Sequence, residues 1–360
     1  MWSKRWIRWP RPFILSITKD ELEKFAWPAL LLLAVLSVLL GVGVGSVFVP
    51  PADVLASLGV RFFGMTAPEG VDEITVSMVT NMRLPRVLMA FLAGAALSMG
   101  GTVMQSVLRN PLASPFGLGV SAGAGTGAAL VMVLGLSGGA LGIFFMPLVS
   151  LVFGLLTVVA VIGFSARMDR DLSSTTIVLT GMVVSLFLNA IMSFLSTLSP
   201  AYAQRINLWT LGSFSMKEWS QVLVLAPITV ICCLFFMRFS AELDAMTFGE
   251  EQAQLLGVDV RRAKWLLIGL VAVLVGATTA FVGIIGFVDL IAPHVVRRFF
   301  GSSHRRVLPA SALFGGCFMV LCDLASRTLT APREIPIGSI TAFLGTPFFV
   351  YIYFVGRRRR

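Results

Sequence analysis

The chain has 360 residues, of which 57% are hydrophobic and only 13% charged, with a mean hydropathy of +0.89. A soluble domain carries about 25% charged residues, so a water-soluble globule is excluded, and the apolar residues come in blocks near the roughly 20 that cross a bilayer as a helix. The formal net charge of +10 invites a nucleic-acid reading, but Lys and Arg cluster at the ends of apolar runs and in two terminal segments, with no basic helix face interleaved with aromatics; that is the pattern that orients a membrane protein.

The basic, aromatic start (WSKRWIRWPRPF) looks like the opening of a signal peptide. The run after it, Phe25–Val49, is too long for a cleaved apolar segment and lacks a small-x-small site, so it reads as the first span. Further apolar runs follow at Val87–Val107, Phe116–Leu136, Ala140–Ala166, Ser174–Leu198, Trp219–Phe239, Trp265–Val282, Ile284–Val296, Val307–Leu324 and Ile337–Val355. No run alternates as a barrel strand does. The expected fold class is all-α: a polytopic membrane protein of about ten transmembrane helices with both termini cytoplasmic. Its organisation is a basic tail at 1–24, one transmembrane domain at 25–355 and a basic tail at 356–360.

The stretch Trp265–Val296 holds 32 residues, about 48 Å as one helix against a hydrocarbon core of about 30 Å. Basic clusters flank it at Arg261–Lys264 and Arg297–Arg306. Both lie inside only if an even number of crossings separates them, or one crossing and a re-entrant half; Gly283 and Gly286 mark the break. With the N-terminus inside, inner segments collect 21 Lys and Arg and outer segments 7, which supports this topology. The four cysteines sit in apolar runs without metal-ligand spacing and read as small packing residues.

Two polar segments interrupt the apolar pattern at the expected inner face. Gln105–Gly119 (QSVLRNPLASPFGLG) is too short for a domain and reads as a tight turn containing Gln105, Asn110 and Pro111. Gly283–Arg298 (GIIGFVDLIAPHVVRR) carries Pro293 and His294. The longest inner loop, Ser240–Lys264, reads as two short helices. Glu250 and Glu251 open the second, Leu255 and Leu256 give it an apolar face, and Gly257 stops it. Such a helix either lies among lipid headgroups or docks on a partner protein; Glu250, Glu251 and Gln252 in place of Lys and Arg favour the partner.

Arg83, Arg86 and Arg327 stand at outer span ends. They serve either as interfacial anchors or as cations that grip carboxylates on an extracytoplasmic partner. Asp289, His294 and Asp323 are ionisable groups in or at the edges of spans, where a pathway or relay role is the default expectation. Asn189 and Ser193, one turn apart, either line a polar path or hydrogen-bond across helices. The chain has no GxxxxGK[ST] loop, GxSxG or HExxH motif, so neither ATP hydrolysis nor another enzymatic activity is expected of it.

The chain resembles the permease subunits of binding-protein-dependent ABC importers for iron–siderophore complexes, haem and cobalamin. The motifs are RLPR (83–86), Gln105 with RNPLASPFGLG and SAGA, WTLGSF (209–214), QLLGVDV (254–260), PHVVRR (293–298), HRRVLP (304–309), Asp323 with Arg327, and EIPIGSITAFLGTPFF (334–349). The resemblance implies a ten-span subunit of the bacterial inner membrane, paired as a homodimer around an axial path. It also implies two ATPase subunits below, which hold the ATP and Mg²⁺, a substrate-binding protein above, and no cofactor or metal on this chain. It places ATPase coupling at Glu250, Gln254, Leu255, Leu256, Gly257 and Val258, and binding-protein docking at Arg83, Arg86 and Arg327. One departure stands out: Asp289 occupies a position where such permeases usually carry Gly. The competing readings are a proton-coupled secondary transporter using Asp289, His294 and Asp323, which would need no ATPase dock, and a non-transporting scaffold. Iron–siderophore is the expected cargo, with cobalamin, haem and an oxyanion as alternatives.

Overall fold

A computed structural model of the chain describes residues 19–357 apart from 46, 67–70, 137–138 and 170–172. Most of both basic tails therefore lies outside the described residues. Every described element is helical. In chain order the helices are α1 (Lys19–Gly43), α2 (Pro51–Phe63), α3 (Glu73–Ser77), α4 (Leu84–Val107), α5 (Val120–Val133), α6 (Phe145–Met168), α7 (Ser174–Leu198), α8 (Pro200–Thr210) and α9 (Trp219–Arg238). They continue with α10 (Ser240–Phe248), α11 (Glu250–Leu255), α12 (Val260–Val282), α13 (Val288–Phe300), α14 (His304–Thr328) and α15 (Ile337–Arg357).

Among the described residues, seven helical stretches are long and apolar enough to cross a membrane, and the runs at Val120–Val133 and Ile337–Val350 are shorter apolar helices. All ten apolar runs of the sequence are thus helical, but α5 and α13, with 14 and 13 residues, reach only about 20 Å and do not span the core alone. The second run starts earlier than its hydropathy indicates. Glu73–Val107 is one continuous stretch, joined through a π-helical turn at Met78–Arg83. Within that turn the Thr80 carbonyl accepts from the Trp219 indole N–H at 2.8 Å, the kind of outside partner that a wider turn admits.

The break expected in Trp265–Val296 falls between α12 and α13. Gly283 ends α12 with φ 80°, where a Cβ would overlap the Trp209 carbonyl. Phe287 starts α13 with φ 70°, a left-handed conformation that a bulky residue adopts only when its surroundings compel it.

The core lies between α4 and its neighbours α9, α12, α13 and α14. α4 and α14 run antiparallel in close approach: a Cβ at Gly94 would overlap the Gly315 carbonyl. Small residues drive such contacts in a membrane, where no hydrophobic effect draws helices together. α7 is the opposite case. Leu179, Met182, Val183, Leu186, Phe187, Phe194 and Leu198 are all exposed, leaving a long apolar face without a partner among the described residues.

Candidate functional site

The two ends of the bundle are built differently, and each gathers residues singled out in the sequence. At one end the chain turns twice in quick succession. α10 and α11 are separated by Gly249, and α11 ends where Gly257 takes φ 85°. The expected pair of short helices is therefore present, with Glu250 and Glu251 in the first turn of α11. Glu250 ties the unit down: its carboxylate accepts from the fully buried Lys264 Nζ of α12 at 2.9 Å and lies 3.7 Å from Arg109. Ala253 is buried beneath α11, while Leu255 and Leu256 stand 87% and 70% exposed. Apolar side chains left this open on a tethered turn form a contact surface rather than a core. Gln254 is exposed beside them and Val258 half-buried.

α10 is tied in separately. Asp244 accepts from the backbone N–H of His304 at 2.8 Å, from the Ser303 hydroxyl at 3.2 Å and pairs with His304 Nδ1 at 2.5 Å. Burial alone would raise the Asp244 carboxyl, but the His304 and Ser303 contacts outweigh it and hold it below the ordinary carboxylate value. His304 is buried, and its Nε2 meets Ser106 Oγ at 2.6 Å. The tautomer with hydrogen on Nδ1 donates to Asp244 and accepts from Ser106, giving both contacts a donor. Arg297 of α13 donates to Gln105 Oε1 at 2.6 Å and to Ser106 Oγ at 3.4 Å, and Gln105 Nε2 donates to the Asp289 carbonyl at 3.4 Å. One polar chain thus joins α10, α14, α4 and α13.

The turn expected from Gln105 begins only after Val107, because Gln105 to Val107 complete the last turn of α4, and it lies beside this polar chain. Asn110 Oδ1 accepts from Leu112 N at 2.9 Å, closing the bend at the exposed Pro111. Asp289 is buried and, among the described residues, has neither an Arg partner nor a place in a relay: its Oδ2 accepts from the Ser114 hydroxyl of the turn, and its backbone packs on Gly101. Pro293 is buried and His294 exposed on α13. His304, not His294, is the histidine of the polar network.

At the opposite end the three arginines meet. Arg86 holds Asp323 through Nη2 at 2.8 Å and Nε at 3.0 Å, and Glu334 through Nη1 at 2.6 Å. Asp323 is also 3.4 Å from Arg327 Nε, and Arg327 donates to the Gly41 carbonyl. Arg83 donates to the Val42 and Gly43 carbonyls at 3.0 Å and to Val47 at 2.6 Å, satisfying groups that the C-terminus of α1 leaves open. All three side chains are largely buried: Arg83 is 7% exposed, and the Arg86 and Arg327 side chains 13% and 9%. Arg86 finds two acidic side chains more than 200 positions away, Arg327 an aspartate four residues before it, and Arg83 and Arg327 reach distant backbone carbonyls that local sequence does not display.

Asn189 and Ser193 are exposed on α7 and line, with Ser196, Thr197 and Asn207, a polar pocket of about 430 Å³. Among the described residues, no hydrogen-bonded chain links Asp289, His294 and Asp323. The carboxylates of Asp289 and Asp323 are held at different places, by Ser114 and by the arginines.

The comparisons with known proteins agree with this layout. The model of the FecCD transport family matches residues 31–354. An uncharacterized ABC transporter permease, YvrB of Bacillus subtilis, is 40% identical over 88% of this chain and 89% of its own length. The hemin transport system permease HmuU of Yersinia pestis is 36% identical over 78% and 84%. Other relatives are named for the import of Fe(3+)-citrate, cobalamin and molybdate. A solved structure described as an inward-facing conformation of a metal-chelate type ABC transporter is 29% identical, with a TM-score of 0.79, over 92% of this chain and 99% of its own. The chain accordingly belongs to the FecCD transport family and is a multi-pass permease subunit of an ABC importer in the inner membrane.

Proposed function

We propose that this chain forms the translocation path of an importer for iron-chelate cargo as one half of a homodimer, driven by a separate ATPase that docks on α11. The observation that carries the docking is the exposure of Leu255 and Leu256 on a turn whose other side is fixed by Glu250, Lys264 and Arg109. A lipid-lying helix would set cations around those leucines; α11 sets Glu250, Glu251 and Gln252 there. Both termini and the α10–α11 end are assigned to the cytoplasm, and the arginine end to the extracytoplasmic side. A substrate-binding protein docks there. Arg86, shared with the more exposed Glu334, is the arginine nearest to solvent, and Arg83 and Arg327 hold the helix ends beneath it. The unpartnered apolar face of α7, which also carries the polar pocket around Asn189 and Ser193, supports pairing of two copies across this helix around a wet path. Iron chelate is favoured over cobalamin, haem or molybdate by the motif resemblance and by the metal-chelate type of the solved relative.

The test is a mild-detergent pull-down of the tagged chain from its own membranes, read by mass spectrometry, against the variant Leu255→Asp/Leu256→Asp. A stoichiometric ATPase bearing a phosphate-binding loop is expected with the parent. The variant should lose it by at least about tenfold, the effect of about 1.4 kcal/mol. Equal recovery from both chains would place the dock elsewhere.

A further inference from the structure

α14 begins without a cap of its own: Ser303 precedes it but makes no side-chain bond to the helix. The open N–H of His304 is taken instead by Asp244, which belongs to α10, next to the proposed dock. An anionic cap at a helix N-terminus is favourable both as a hydrogen bond and against the helix dipole. Here it is supplied by a different element, so it couples the position of that element to the helix. The same carboxylate pairs with the buried His304 ring, which reaches Ser106 on α4, and Ser106 is also met by Arg297 on α13.

From its capped end α14 runs for 25 residues, about 38 Å, in close contact with α4 through Gly94 and Gly315. Near its far end sit Asp323 and Arg327, two members of the arginine cluster. One continuous helix is therefore fastened at one end to the coupling unit and at the other to the cluster that holds α1 and α4.

We infer that Asp244 and His304 are positioning residues for transport: they form the joint through which movement of α10 against a bound ATPase displaces α14, and with it the opposite end of the permease. This rests on the docking at α11 proposed above. Neither residue touches cargo or nucleotide. Their effect is on how motion is passed on, not on whether the ATPase binds.

The experiment uses the full complex purified from native membranes. An environment-sensitive fluorophore sits on Leu329→Cys, an exposed position just past the end of α14, with Cys233→Ser removing the half-buried thiol. ATP with vanadate should shift the emission of the labelled parent. Asp244→Ala and His304→Gln should keep the ATPase bound and reduce that shift by about tenfold, the scale of one charge-assisted hydrogen bond. Asp244→Asn, which keeps an acceptor for the His304 N–H, should restore part of it; a purely structural defect would instead show as loss of the bound ATPase.

A parent-sized shift in both variants would overturn the inference. So would no shift in a parent that holds its ATPase, since α14 would then stay still through the cycle. Loss of the ATPase from both variants would overturn it as well, because the pair would then build the dock rather than pass on its motion. Failure of the docking reading is seen separately, as retention of the ATPase by Leu255→Asp/Leu256→Asp in parallel preparations.

Discussion

The arginine end and the α10–α11 end hold similar numbers of charged side chains and use them to opposite purpose. At the arginine end, Asp323 is buried between two guanidiniums, and Arg83 and Arg327 close the open carbonyls of α1. Three helices converge there, and little of the network reaches solvent. At the α10–α11 end the ties are local, Glu250 to Lys264 and Arg109 and Asp244 to Ser303 and His304, and they hold two short helices that keep exposed apolar residues. A buried cluster with several mutual partners resists any one displacement. Short, partly exposed elements held by a few ties let one end move and pull the next. The difference separates a fastened end from a jointed one within a single bundle.

The comparison breaks most visibly at Asp323. Asp323→Ala would leave Arg86 and Arg327 side by side, nearly buried, without the carboxylate between them. Removing one partner of a buried ion pair costs about 3–5 kcal/mol. The expected outcome is a chain that fails to accumulate in the membrane, or melts far below the parent in detergent. A melting curve like that of the parent would mean that Glu334 and the carbonyls alone hold that end.

At the other end the matching test is Glu250→Ala. Lys264 is buried, but the Glu250 side chain is 24% exposed, so water is at hand when the carboxylate is removed. The expected cost is about 2 kcal/mol, less than that at Asp323, and the ATPase should be retained more weakly because α11 is no longer fixed. If Glu250→Ala proved as damaging to melting as Asp323→Ala, the fastened and jointed ends would not differ as described.

Much of the jointed end was legible in the sequence because its signals are local. Glu-Glu opening a short amphipathic run and Gly closing it need no distant partner, and the glycines at 283 and 286 announced the break between α12 and α13. The arginine cluster was legible only as three span-end cations. Its geometry depends on Asp323 and on the carbonyls at 41–43, which come together only after α1, α4 and α14 pack. His304 was read only as the start of the motif HRRVLP, in a basic stretch that serves as a topology signal, whereas His294 stood out inside an apolar run. α2 and α8 went unread for a different reason: both are short amphipathic helices between spans. The prolines at 51 and 200, each in the first turn of its helix, were the available sign.

The smallest effect is expected at Lys217, in the connection between α8 and α9. Its Nζ donates to the Phe281 carbonyl at 2.7 Å, beside the break after α12. Burial pushes the amine down to about 8 from the ordinary lysine value. A lowered folded-state pKa means that, as pH rises from about 8 toward about 10, the unfolded chain still holds a proton the folded chain has released, so stability increases across that window. Lys217→Met keeps the apolar stem, gives up one hydrogen bond worth about 1 kcal/mol, and at neutral pH also sheds the cost of burying the charge. It also gives up the alkaline gain. Relative to the variant, the melting temperature of the parent should therefore rise between about pH 7 and about pH 9.5. No such rise at the higher pH would mean that the folded chain keeps the Lys217 proton through this range, as the unfolded chain does. Its bond to Phe281 would then be that of an ordinary ammonium, with enough water at the edge of the break to hold the charge.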